Sequence, residues 1–170
     1  MRRFILGAIL ALMLVVGLAA PAMALTTADV TVTATPSYIS ISVLPTTNDF
    51  GVVAASSTPS TTTTYFTIDN NSSVVTDQTI AVTTTTWSGG VTWTHSDTCT
   101  PGADTAGLMA NKGGTWGTGD IIVKNASPNP IAENQPATTD YSFGLKLYAP
   151  TSFSDGVQKQ IIVRVTAVTG

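Results

Sequence analysis

The chain of 170 residues has few of the side chains that usually carry enzymatic chemistry. It contains one histidine, His95, one cysteine, Cys99, and one glutamate, Glu133. A single cysteine cannot form an internal disulfide, and the nucleophile and base of an active site usually come from separate elements of a fold. No catalytic or metal-site motif occurs in the sequence. The scarcity of these side chains and the lack of such a motif predict a protein that is not an enzyme. A small hydrolase that uses His95 with Cys99 is the alternative that this pair leaves open.

The N-terminus has the three parts of a secretory signal peptide. Arg2 and Arg3 precede an apolar run, Phe4–Ala20, and the next four residues end in an A-x-A cleavage site. We predict that residues 1–24 are a signal peptide cleaved after Ala24, and that the mature protein is secreted or held at the cell surface without a membrane span. An uncleaved anchor is the alternative, since the run approaches the length that spans a bilayer.

Charged residues are also scarce, at 10% of the chain, where ordinary soluble domains have about a quarter. Cleavage would leave 146 of the 170 residues, enough for one domain with a sizeable core. It would also remove Arg2 and Arg3, so five basic residues would face ten acidic ones and the formal charge would be −5. Such a surface repels phosphate backbones, and we expect no nucleic-acid partner.

The C-terminal part of the chain has the clearest alternation of apolar and polar residues. Apolar side chains occupy every second position over Tyr141–Leu147, and a run rich in β-branched residues follows at Ile161–Val168. A period of two is typical of a strand with one buried face. We predict two long strands joined by a turn at Ala149–Gly156, with Phe143 and Leu145 in the core.

Shorter segments upstream alternate in the same way, and none shows a helical period. We predict a hairpin at Trp87–Trp93, a Ser/Thr/Pro-rich linker at Ala54–Thr63, and an irregular segment at Asn125–Gln135, which contains two prolines. Short strands separated by turn signals predict an all-β fold, a single-domain antiparallel β-sandwich of the Ig-like or jelly-roll type over residues 37–170.

Residues 25–36 form a separate N-terminal strand in this interpretation. Val30, Val32 and Ala34 alternate with threonines, and Pro36 ends the run. Cleavage after Ala24 would free its end, so the strand could be donated to the open sheet edge of a neighbouring molecule. The alternative is that it is the first strand of its own sandwich.

Two resemblances to known families concern the fold and the layout. Asp49–Val53 followed by Tyr65–Asn70 resembles the opening of Ig-like domains of the abnormal-spindle/Hydin type, which implies a fold and no function. A signal peptide, a free N-terminal strand and a β-sandwich body are together similar to extracellular filament subunits of the camelysin/TasA type. That resemblance implies assembly by donated strands. We therefore predict a structural subunit of the cell envelope or of an extracellular filament or matrix, forming homo-oligomers by β-strand addition.

Aromatic side chains suggest an alternative function, an Ig-like adhesion or carbohydrate-binding module with a glycan as partner. Exposed tryptophan rings can stack on sugars, whereas buried ones fill a core. The candidate ligand aromatics are Trp87, Trp93 and Trp116.

Two further kinds of site were considered from the residue types. N-glycosylation acceptor triplets occur at Asn70, Asn71 and Asn125. No cofactor is expected. Calcium, the one metal considered, would bind in the glycine-rich region around Asp97, Asp104 and Asp120, but the spacing of a calcium-binding loop is absent.

Overall fold

The computed structural model describes residues 29–125 and 127–170, and the β-sandwich lies within Pro36–Gly170. The predicted signal peptide and the first four residues of the predicted donor strand, Leu25–Ala28, lie outside the described residues. All regular elements of the described part are strands. Nowhere in that part is there a helix long and apolar enough to cross a membrane.

Ten strands make up the sandwich. In chain order they are β1 (Ile41–Leu44), β2 (Phe66–Asn70), β3 (Thr76–Val82), β4 (Thr86–Trp87), β5 (Trp93–His95), β6 (Thr105–Asn111), β7 (Asp120–Ile122), β8 (Asn129–Gln135), β9 (Asp140–Tyr148) and β10 (Val163–Thr169).

The strands form two sheets, which confirms the predicted all-β sandwich. The larger sheet has the order β1-β2-β9-β6-β5-β4, with β7 paired to β6, and the smaller has the order β10-β3-β8. Every pairing is antiparallel except that of β5 with β6, so the larger sheet is mixed. β9 and β6 lie at the centre of the larger sheet, and β3 lies at the centre of the smaller one.

The core forms between the inward faces of the two sheets. Buried and half-buried residues alternate strictly along β2 and β3, as the period of two predicts. Phe143 of β9 stacks on Phe66 of β2, with ring centroids 5.0 Å apart. Both Phe143 and Leu145 are buried, which confirms their predicted place in the core.

The two C-terminal strands exist, but they do not form a hairpin. β9 pairs with β2 and β6, whereas β10 pairs with β3 in the other sheet. The segment 149–162 is therefore a crossover between sheets and not a turn. Its first residue is held by a hydrogen bond from Ala149 N to Ser57 O (3.0 Å), and near its end Gln160 pairs with Ser88. Alternation identified each strand correctly, but it carries no information about which strand is its partner.

The predicted linker Ala54–Thr63 contains a segment that pairs along β9. Thr61 N donates to Leu145 O (2.9 Å), and Leu147 N donates to Pro59 O (2.9 Å). A Cβ on Gly144 would collide with the backbone of Thr62 and Thr63, so a glycine is required where this segment crosses the strand. Since β6 occupies the opposite edge, both edges of β9 are filled.

The segment predicted to be irregular, Asn125–Gln135, contains β8. Pro130 lies inside the strand opposite Thr79 of β3, and the register shifts nearby. A proline lacks the N–H that a central strand needs, but it is tolerated where a strand lies at the edge of a sheet. Pro128 precedes β8, and the edge position of β8 explains why Pro130 did not prevent strand formation.

Candidate functional site

The candidate assembly segment is exposed and unpaired within this chain. Residues Asp29–Thr35 belong to no strand, and every side chain among them is exposed. Val30 and Val32 expose 84% and 86% of their surface. Ala34 is exposed as well, so all three apolar side chains of the predicted strand are open to solvent in the described residues.

Trp87 and Trp93 lie in the core. This is the alternative to sugar binding, in which buried tryptophan rings fill the sandwich. They face each other across the β4–β5 pair, which confirms the predicted hairpin, and their ring centroids are 6.0 Å apart. Phe153, from the crossover segment, stacks on Trp93 at 5.3 Å. Both indoles are buried, so neither ring has a free face for a sugar.

Trp116 is the remaining candidate among the three tryptophans. It is half-buried in the loop between β6 and β7, and its Nε1 donates to Thr61 O at 3.2 Å. Lys146 Nζ lies 4.2 Å from the ring centroid, a cation–π distance. The indole borders an open depression of about 460 Å³ lined by threonines, glycine and serine. This arrangement could present hydroxyls and one aromatic edge to a polar ligand.

Two residues that contact Trp116 were missed by sequence reasoning. Lys146 lies on β9 and appeared only as a polar position in its alternation. Thr61 lies within a run of threonines, so nothing distinguishes it from its neighbours. Both come to Trp116 because the segment before β2 pairs along β9, which local patterns do not reveal.

The three aspartates considered for calcium each accept a hydrogen bond from a backbone amide. Asp97 accepts from Asn125 N (2.8 Å), Asp104 from Ser154 N (2.8 Å), and Asp120 from Gly117 N (3.0 Å). Within the described residues, no three His, Cys, Asp or Glu side chains form a group that could hold a metal. Asp120 therefore accepts within its own turn, whereas Asp97 and Asp104 tie their loops to segments distant in sequence.

The three glycosylation acceptors differ in access. Asn70 is buried, and its Nδ2 donates to Gln135 O (3.2 Å) and Pro136 O (2.9 Å). Asn125 Nδ2 donates to Val82 O at 3.2 Å in a half-buried position. Asn71 alone of the three has an exposed side chain. If any of these triplets is modified in the folded protein, we expect Asn71 to be the site.

His95 and Cys99 make separate hydrogen bonds to backbone carbonyls. The His95 ring is buried and its Nε2 donates to Val123 O at 2.7 Å, while Asp97 Oδ1 lies 3.6 Å away. Cys99 Sγ donates to Leu108 O at 3.1 Å. Burial, together with the negative charge of Asp97, raises the pKa of the Cys99 thiol to about 11. A thiol with this pKa stays protonated at neutral pH and is a poor nucleophile.

Comparison with known proteins gives no match. No family model, no curated protein and no solved structure matches this chain. The resemblances to abnormal-spindle/Hydin domains and to camelysin/TasA subunits therefore remain predictions from the sequence.

Proposed function

We propose that this protein is an exported, non-enzymatic structural subunit of the cell envelope or of an extracellular filament or matrix, and that its copies associate by β-strand addition. The observation that supports this most is the segment Asp29–Thr35, an alternating Val/Thr run that belongs to no strand in the described part of the chain. The body at Pro36–Gly170 has its own core, so the segment is available to a neighbour.

The energetics favour pairing of this segment with a partner. Val30 and Val32 are almost fully exposed, and moving such side chains from water to an apolar contact is favourable by about 1.5–3 kcal/mol each. Pairing would also satisfy a row of backbone donors and acceptors, each bond contributing about 0.5–1.5 kcal/mol net. The small side chains of valine, threonine and alanine fit an open sheet edge without a large pocket.

The non-enzymatic part of the proposal rests on the two residues that could carry nucleophilic catalysis. The ring of His95 is buried and donates to a carbonyl, and the Cys99 thiol is held protonated. Neither has the activation that a catalytic nucleophile or base needs.

Deletion of Leu25–Thr35 should abolish assembly and leave the sandwich folded. The deleted residues contribute nothing described to the core, so the melting temperature of the truncated protein should stay within a few degrees of the parent. Its oligomers and filaments should disappear in analytical ultracentrifugation and negative-stain images, and a peptide of the deleted sequence should bind it. Unfolding of the truncated monomer, or a parent that stays monomeric at high concentration, would show the proposal to be wrong.

A matched pair of double variants sharpens this experiment. Val30→Asp with Val32→Asp places charges on the apolar side of the segment and should prevent assembly. Thr31→Asp with Thr33→Asp adds the same charge on the other side and should have a much smaller effect. Equal effects of the two pairs would mean that charge alone, and not burial of one face, controls association.

Export is a separate part of the proposal and has its own measurement. Mass spectrometry of the secreted protein should give an N-terminus at Leu25, because the A-x-A site ends at Ala24. Recovery of the intact chain from Met1 in a membrane fraction would instead mean that the apolar run acts as an anchor.

A second candidate function is glycan binding at Trp116. The observation that favours it is the open, hydroxyl-lined depression that this half-buried indole borders, with Lys146 over the ring. Unlike assembly, this function needs no contact between copies, and it would persist in the protein that lacks Leu25–Thr35.

A further inference from the structure

The smaller sheet ends at β10 and β8, and the larger sheet ends at β1 and β4. β10 pairs with β3, and β3 leads through Thr83–Thr85 to β4. The pairing continues there, since Ser88 and Gln160 exchange backbone hydrogen bonds of 2.8 and 2.9 Å. From β4 the order passes through β5, β6, β9 and β2 to β1, while β8 branches from β3. Gln160 covers the edge beside β4, so the edges of described strands that could accept another strand are those of β10, β1, β8 and β7.

Half of the backbone groups of β10 point away from β3. Thr83 N donates to Ile162 O and Gly170 N donates to Val75 O, both at 3.0 Å, so the even-numbered residues of this stretch bond to β3. In an antiparallel pair the remaining residues direct their N–H and C=O groups to the opposite edge. Those residues are Val163, Val165, Ala167 and Thr169. No residue in the described part of the chain pairs with this edge.

The apolar side chains of β10 are incompletely covered. Val163 and Val165 pack against the core but remain half-buried, whereas Ile80 and Val82 on the neighbouring β3 are fully buried. On the opposite face of β10, Val168 is exposed. An added strand would cover the apolar side that the sandwich leaves partly open.

The other three edges carry features that discourage strand addition. β7 is only three residues long, and Asn129 Nδ2 already donates to Ile122 O at 2.6 Å. β8 contains Pro130 and Glu133, and Asn134 has a positive φ of 51°. β1 is only four residues long and is followed directly by Pro45. Proline, charge and short length are the devices by which proteins block edge-to-edge pairing. β10 has seven residues, no proline and a single charge, Arg164.

We infer that the free edge of β10 is the acceptor for Asp29–Thr35 of a second copy, an inference that rests on the proposed function. The two segments have the same length of seven residues, and both alternate apolar with polar positions except at Val168 and Thr169 of β10. The donor carries one acidic residue, Asp29, and the acceptor one basic residue, Arg164, both exposed. Opposite charges on the partners favour their encounter.

The alternation restricts the register of this pairing. Val30, Val32 and Ala34 must lie on the same side as Val163 and Val165, because a slip by one residue moves every side chain to the other face. Thr33 of the donor therefore lies on the outer face with the even-numbered residues of the acceptor. Its neighbour is then one of Arg164, Thr166 and Val168.

Disulfide trapping between two copies tests this arrangement. Both copies carry Cys99→Ser, whose hydroxyl can still donate to Leu108 O. One copy adds Thr33→Cys, and the other adds Arg164→Cys, Thr166→Cys or Val168→Cys. Neighbouring strands place opposite Cα atoms about 4.5–5.5 Å apart, within the range that a disulfide spans. Monomers are mixed, allowed to assemble under mild oxidation, and analysed by non-reducing electrophoresis.

At least one of the three β10 variants should form the covalent heterodimer ten times faster than either control. The controls are Ser42→Cys on β1 and Glu133→Cys on β8, which are exposed positions on the two longer of the other edges. Faster trapping at Ser42→Cys or Glu133→Cys would overturn the assignment of β10 and leave the proposed function standing. If the Cys99→Ser parent does not assemble at all while remaining folded, both the acceptor edge and the proposed function are wrong.

Discussion

Replacement of Phe143 by alanine is expected to lower the free energy of unfolding by roughly 3–5 kcal/mol. Phe143 is 2% exposed and lies directly opposite Phe66 in the β2–β9 pair, with the two rings stacked. β9 has neighbours on both edges, so the sheet cannot close around the space that the missing ring leaves. Typical domains have only 5–15 kcal/mol of stability, and the melting temperature should therefore fall by on the order of 10 °C.

Phe153 provides a matched control for the same substitution. It is 36% exposed and its ring stacks on Trp93 at the surface end of the core. Phe153→Ala should cost well under half as much as Phe143→Ala in parallel denaturant titrations. If the two variants had equal midpoints, or if Phe143→Ala left the melt unchanged, the register assigned to β9 would be wrong.

The fold class was predictable because several strands have one face in the core and one near solvent. β2 and β3 alternate without interruption, and β9 buries Phe143, Leu145 and Leu147 in turn. This pattern is a direct consequence of the two-residue period of a strand. The Trp87–Trp93 hairpin was also predictable, since Gly89 and Gly90 allow the positive φ values of a tight turn.

Strand partners were not predictable, because pairing depends on the sheet and not on the strand alone. β9 and β10 are consecutive in the chain and alternate equally well, yet they belong to different sheets. The Ser57–Thr61 segment has the composition of a linker, and it becomes ordered only because β9 offers it an unfilled edge. In both cases a contact distant in sequence decided the structure.

The candidate sites were predictable to a similar degree. The sequence identified the tryptophans but could not separate Trp87 and Trp93, which fill the core, from Trp116 at the depression. The alternating Val30 and Val32 pattern was visible, whereas the edge that would receive it was not. The edge is recognised only once it is known which residues of β10 bond to β3 and which point away. That knowledge requires the observed register of β10 with β3.

Asn70 connects the two sheets at one end of the sandwich through its side chain. Its Nδ2 donates to Gln135 O and Pro136 O, and its Oδ1 accepts from Ser72 N at 3.2 Å. The side chain therefore joins the end of β2, in the larger sheet, to the end of β8, in the smaller sheet, and to the connection that leads from β8 to β9. Because Asn70 is 1% exposed, water cannot readily replace these bonds.

Replacement of Asn70 by alanine is expected to destabilise the protein by about 3 kcal/mol, since each buried group left without a partner costs about 1–3 kcal/mol. Asn71→Ala is the matched control. It removes the same side chain one position away, where it is exposed, and should change stability by less than about 0.5 kcal/mol. Asn70→Asp keeps the shape but, when ionised, cannot donate to the two carbonyls, and should be at least as damaging as alanine at neutral pH. Urea titrations of the three variants measure these differences. Equal stability of Asn70→Ala and Asn71→Ala would show that the hydrogen bonds of Asn70 do not hold the two sheets together.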